Sequence, residues 1–173
     1  MCGDKSESDL FPLREGDYGK GYKEHLLEQY KLCVEMADKI SERRATANAF
    51  FLSANALLLS GLGVVSNDYV HITFSMPLTM VGVSLAGILL CFVWILLVRS
   101  YRQLNSAKFA AICAMEARLP AAPYETEWKK LRGQNESREY RPLTSVELVI
   151  PAIFIILYVL LPILTVIMRT DPI

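Results

Sequence analysis

Three stretches of this chain, residues 45–65, 77–98 and 148–168, contain no Asp, Glu, Lys or Arg. Each matches the roughly 20 apolar residues that carry a helix across a bilayer. A chain with three such stretches in 173 residues has little length left for a water-soluble core. The expectation is an all-α membrane protein in which a long helical hairpin crosses the membrane and extends into the cytoplasm, followed by a third, C-terminal transmembrane helix. The apolar fraction of 53% exceeds that of ordinary soluble domains. It argues against a soluble enzyme, a disordered chain and a disulfide scaffold alike.

Charge orients the spans. Of the 18 basic residues, eight lie in residues 1–45, none in 66–76, nine in 99–145, and the last is Arg169. Cytoplasmic loops carry the Lys/Arg excess. The division that follows is a flexible tail at 1–17, a cytoplasmic helix at 18–44, spans at 45–65, 77–98 and 146–168, an external loop at 66–76, a cytoplasmic helical region at 99–145 and an external tail at 169–173. The N-terminus is expected inside. Cys2 has no apolar stretch before it, so no cleaved leader is expected. With 18 acidic residues balancing the 18 basic ones, no global basic field announces nucleic acid.

Leu26, Tyr30, Cys33, Ala37, Ile40, Arg44 and Ala47 recur at alternating steps of four and three, a heptad seam. Such a seam needs a partner: a helix of another protomer, or residues 100–119 of its own chain. No Gly or Pro interrupts 22–60, so the cytoplasmic helix and first span are expected as one rod of roughly 65 Å at 1.5 Å per residue. YETEWKKLR reads as a short helix with acids first and bases last, and Gly133 is placed to cap it. Thr144 and Glu147 have capping-box spacing before the third span. That reading makes Glu147 a cap and not an intramembrane functional acid. Pro151 and Pro162 fall inside that span, and a kink is expected at Pro162.

No catalytic motif is present, and no enzyme is expected. The two histidines, His25 and His71, lie far apart, and the four cysteines form no CxxC pair, so neither a metal nor a cofactor is expected. Within the first span, Thr46, Ala49, Ser53, Ala56, Ser60 and Gly63 form a stripe of small residues. Such a stripe lets helix backbones approach closely. It suits packing on the second span through Gly82 and Ala86, or on other copies in an oligomer. Asn48 and Asn55 lie on roughly the opposite face. Exposure to lipid would cost two amides dearly, so that face is expected to be buried as well. A first span buried on two sides fits an oligomer in which it stands innermost. The candidate pore-lining residues are then Thr46, Asn48, Ser53, Asn55 and Ser60, with interhelical Asn–Asn bonding as the alternative for the amides. A tetramer is the expected count.

Two segments go further. Residues 29–65 carry MADK-x-SERR-x-T-x-N-x-F, and residues 94–128 carry SYR-x-LN-x-AKF, ME-x-x-LP and Y-x-x-EW. This pattern resembles the RipA-like family of small oligomeric bacterial membrane proteins. It is also similar to the SLATT-type effectors that sit beside nucleotidyltransferases in antiphage systems. The resemblance implies a homo-oligomeric channel in the lipid bilayer. It implies opening controlled by a nucleotide or short DNA oligomer from a partner nucleotidyltransferase, and depolarisation of the infected cell as the result. The other reading is a non-conducting oligomeric scaffold. An anionic regulator would be met on the cytoplasmic side. One candidate set is Arg43, Arg44, Arg99 and Arg102 with Lys108 and Tyr101; the other is Lys129, Lys130 and Arg132 with Trp128. Arg supplies bidentate contact to phosphate, and aromatic rings supply stacking. The alternatives are headgroup contact for the first set and a solvated helix end for the second.

Overall fold

The computed structural model describes residues 10–65, 76–133 and 143–170. Among the described residues five helices follow in order: α1 Glu15–Tyr18, α2 Tyr22–Val65, α3 Met76–Glu116, α4 Pro123–Gly133 and α5 Leu143–Thr170. Among the described residues there is no strand, and three helices are long and apolar enough to cross a membrane. α2 and α3 far exceed the roughly 20 residues a bilayer requires. The chain therefore folds as the expected all-α membrane protein. The expected external loop and most of the external tail lie outside the described residues.

Contacts divide the chain into two units, one of residues 1–43 and 101–141 and one of residues 44–100 and 142–173. The divisions fall at Arg43/Arg44 and Ser100/Tyr101, where charge resumes on either side of the apolar stretches.

In the first unit the heptad seam finds its partner within the chain. Leu26, Ala37 and Ile40 are buried, as are Ile112 and Met115 of α3. Three bonds set the register: Arg118 Nη1 to Tyr22 Oη at 2.9 Å, Tyr30 Oη to Glu116 Oε1 at 2.9 Å, and Lys108 Nζ to Met36 Sδ at 3.8 Å. Numbers rise along α2 as they fall along α3, so the pair is antiparallel. Part of the segment expected as a loose tail is also placed in this unit. α1 is one turn of helix, and the Arg118 guanidinium lies 3.5 Å over the Phe11 ring. α2 then starts at Tyr22, not near residue 18, because Gly19 turns the chain with φ at +95°, a conformation that L side chains avoid.

Glu116 is 1% exposed. Its Oε1 accepts from Tyr30 Oη and from the Tyr124 amide at 3.1 Å, and its Oε2 accepts from the Glu125 amide at 3.0 Å. Those amides belong to the first turn of α4, whose N–H groups have no partner within the helix. The carboxylate also complements the positive end of the helix dipole. Pro123 opens α4, where its missing N–H costs nothing. Burial, and then the bond to Glu116, push the Tyr30 hydroxyl up to about 12, so it stays protonated and donates. Glu116→Ala is expected to leave these donors unmatched at a cost of about 2 kcal/mol. Hydrogen exchange at the Tyr124 and Glu125 amides should then quicken about 30-fold. Unchanged exchange would remove Glu116 as the cap.

In the second unit α2, α3 and α5 pack through two clusters. Leu62, Met80, Cys91 and Tyr158 form one, and Phe51, Trp94 and Val98 the other. Phe51 and Trp94 stack at 5.7 Å with ring planes 9° apart. α5 continues as helix through Pro151 and Pro162. It begins at Leu143, so Thr144 already lies inside it. The expected capping box also loses Glu147, whose carboxylate bonds to Arg44 and Asn48 instead. A guanidinium is a stronger partner for a carboxylate than a single amide N–H.

Candidate functional site

Two polar clusters and one outward face of α2 make up the candidate site in the second unit. In the first cluster Arg44 is bidentate on Glu147, with Nε to Oε1 at 3.1 Å and Nη2 to Oε2 at 2.5 Å. Their side chains are 15% and 19% exposed. Asn48 Nδ2 donates to the same Oε1 at 3.2 Å, and Trp94 Nε1 donates to Asn48 Oδ1 at 2.8 Å. One chain of bonds thus ties α2, α3 and α5 together. Arg44, expected among the phosphate ligands, is committed to Glu147.

The second cluster surrounds Asn55, which is 0% exposed. Its Nδ2 donates to the Phe51 carbonyl at 2.8 Å. Its Oδ1 accepts from Tyr158 Oη at 3.1 Å and from Cys91 Sγ at 3.3 Å. Tyr158 Oη also reaches the Asn55 carbonyl at 3.2 Å. The Tyr158 ring approaches α3 so closely that a Cβ at Gly87 would lie 2.3 Å from its Cζ. The two amides expected along a central path are therefore turned into the protomer's own helices. Trp94, Cys91 and Tyr158 supply the partners that hold them there.

The small-residue stripe faces the other way. Thr46, Ala49, Ser53, Ala56, Ser60 and Gly63 are all exposed, flanked by Phe50 at 63% and Leu57 at 73% exposure. Ser60 Oγ returns its hydrogen bond to the Ala56 carbonyl at 2.9 Å, a common way to satisfy a hydroxyl in an apolar helix. Gly82 and Ala86 are exposed too, and a Cβ at Gly82 would meet nothing within 4 Å. The close approach of helices within the protomer is made at Gly87, not at this pair. Of the expected pore-lining residues, Thr46, Ser53 and Ser60 share the outward face.

The other candidate ligand residues are distributed as follows. Arg43 and Arg102, in the first unit, and Arg99, in the second, are exposed. Tyr101 is half-buried. Lys108 reaches Met36, and Lys129 pairs with Glu125 at 2.8 Å. Lys130 is exposed, and Trp128 is 52% exposed. The Arg132 side chain lies outside the described residues. Glu116 escaped sequence reasoning as an active participant, although its motif and the Pro at 123 were visible. Among the described residues no cluster of His, Cys, Asp and Glu suits a metal ion.

Compared with known proteins, residues 27–167 match the model of a family described as "Octameric membrane protein family (8xMP)". No curated protein and no solved structure matches.

Proposed function

Because the chain belongs to the octameric membrane protein family, we propose that it works as a homo-oligomeric ion channel opened by a nucleotide or oligonucleotide. On this reading it is a membrane effector of antiphage defence, similar to the SLATT-type proteins and in particular to the membrane effector of the Hailong system. It acts by depolarising the cell and performs no catalysis. The observation that carries the oligomeric part is the exposed small-residue face of α2, from Thr46 to Gly63. In a membrane such a face gains from close contact with another helix, and a closed ring repeats that contact without leaving a free edge. The subunit count is eight, as the family's name states of its members, in place of the tetramer expected from the sequence. With Asn48 and Asn55 turned inward, the path is lined by Thr46, Ser53 and Ser60.

Seventeen of the 18 basic residues lie outside the external segments, which supports a cytoplasmic N-terminus in the bacterial inner membrane. Cysteine probes at Asn67 and Asp171 are expected to react from outside, and one at Ser8 is not. Outside labelling of Ser8 would reverse the orientation.

Size measurement of the detergent-solubilised protein, paired with current recording in planar bilayers, tests the channel. Wild type is expected to run as an octamer and to conduct when nucleotide is added. Ser53→Trp and Ala56→Trp are each expected to abolish either the assembly or the current. A monomer with full conductance ends this reading. A second reading, a non-conducting oligomeric scaffold, is favoured by the inward turn of both asparagines, which leaves only three hydroxyls for a path. An octamer that never conducts, with or without nucleotide, would establish it.

A further inference from the structure

The basic residues that the structure gathers around a cavity are not those singled out by position along the chain. Arg14, Lys23 and Arg118 line a cavity of about 310 Å³ together with Glu15 and Tyr22. They come from the turn before α1, the start of α2 and the turn after α3. Among the described lining residues, three cations stand with one carboxylate. Glu15 pairs with one of them, Lys23 Nζ lying 3.3 Å from its Oε1. Several contacts hold Arg118, among them its guanidinium over Phe11 and its Nη1 on Tyr22 Oη. It therefore does not sample solvent as a free surface arginine does, and less entropy is lost when it takes a ligand.

A second cavity, of about 130 Å³, shares Tyr22 with the first and is lined by Phe11, Tyr18, His25 and Leu26 among others. Its rings are fixed by one another. Tyr18 meets Tyr22 edge-on at 5.9 Å and His25 at 5.7 Å, and Tyr18 Oη lies 2.8 Å from His25 Nδ1. A cationic cavity thus adjoins a ring-lined one, with Tyr22 as the common wall. A phosphate monoester on a flat aromatic group matches that pair. The phosphate takes Arg14, Lys23 and Arg118, and the flat group packs on Tyr18 and Tyr22. A bare anion uses only the first cavity, and a lipid headgroup has no flat ring for the second.

We propose that these adjoining cavities are a nucleotide-binding site for a nucleoside phosphate. Its role in opening a channel rests on the function proposed above; the binding itself does not.

The test is equilibrium dialysis of the full-length protein in detergent with radiolabelled AMP, competed by inorganic phosphate, adenosine or phosphatidylglycerol. AMP is expected to bind saturably and less tightly as salt rises, with phosphate and adenosine each competing at least about tenfold less well than unlabelled AMP. Arg14→Ala combined with Lys23→Ala changes two exposed side chains and leaves Arg118 on Phe11. It is expected to weaken AMP binding about tenfold or more, and Tyr22→Ala is expected to weaken AMP more than phosphate. Saturable binding that is equal in wild type and the double variant overturns the site. So does an absence of AMP binding up to millimolar concentration, or binding of phosphatidylglycerol without AMP. Bilayer recordings separate this proposal from the channel reading. AMP bound through these residues without any change in conductance ends the gating reading and leaves the site. Gating at an unchanged nucleotide concentration in the double variant leaves the channel and removes the site.

Discussion

Gly87→Ala is expected to lower the stability of the folded protein by about 3 kcal/mol, a large part of what a small domain has to spare. The added Cβ would lie 2.3 Å from Tyr158 Cζ and 2.5 and 2.6 Å from its two Cε atoms. A flexible side chain would give way, but this one is a ring, fully buried and anchored through its hydroxyl to the Asn55 carbonyl and Oδ1. Either α3 and α5 move apart, at the roughly 1–3 kcal/mol of an overpacked core, or Tyr158 leaves and strands the buried oxygens of Asn55, at a similar cost. The molecule takes the cheaper of the two, and the rigidity of the ring puts that cost near the upper end of the range. Gly82→Ala is the control, since nothing lies within 4 Å of a Cβ there, and it should change stability by no more than about 0.5 kcal/mol. Thermal unfolding in mild detergent reads both. A Gly87→Ala protein that melts with wild type would mean that α5 does not pack on α3 in this way.

Glu147→Ala carries the second large expectation, a loss of about 3 kcal/mol. Breaking a buried ion pair from one side costs roughly 3–5 kcal/mol, because the surviving charge is left without its partner. The 15% and 19% exposure of these two side chains places the loss at the lower end. Asn48 Nδ2 loses its acceptor as well. If Glu147 merely capped the start of α5, its removal would cost about 1 kcal/mol and would not couple to Arg44. The pairing requires the opposite. Arg44→Met combined with Glu147→Met should be less damaging than the sum of the single changes by at least about 1 kcal/mol. Denaturant unfolding of the four proteins decides the matter, and strict additivity would dissolve the network.

The three long helices were legible because the cost of placing charge in hydrocarbon accumulates along consecutive residues, so a charge-free run of the right length is a local signal. Faces were legible for the same reason. The heptad seam and the opposed Asn and small-residue stripes of α2 are periodicities, and each emerged as a distinct surface. What occupies a face is not local. The seam suited another protomer as well as its own chain, and it was settled by Tyr30 meeting Glu116, 86 residues away. Asn55 looked equally apt for a pore, since its partners Cys91 and Tyr158 are on other helices and neither announces itself as a donor. Gly87 passed unremarked beside Gly82 and Ala86, because only the position of α5 distinguishes the three. Arg44 reads as a seam residue and a candidate phosphate ligand, and Glu147 as a cap, each a sound local role. Their union across 103 residues overrode both. Arg14, Lys23 and Arg118 are single basic residues with nothing in their neighbourhoods to mark them.

The bond between Tyr158 and Asn55 also bears on how the protein is made. Synthesis runs from the N-terminus, and 103 residues separate the two partners. When α2 and α3 have been completed, Asn55 Oδ1 has the Cys91 thiol as its donor, a weak one, while the recess at Gly87 awaits a ring that has not been translated. The early pair of helices is thus a half-finished product carrying an under-satisfied amide oxygen in lipid, and the last helix supplies both the stronger donor and the ring that fills the recess. Completion is registered chemically at one atom.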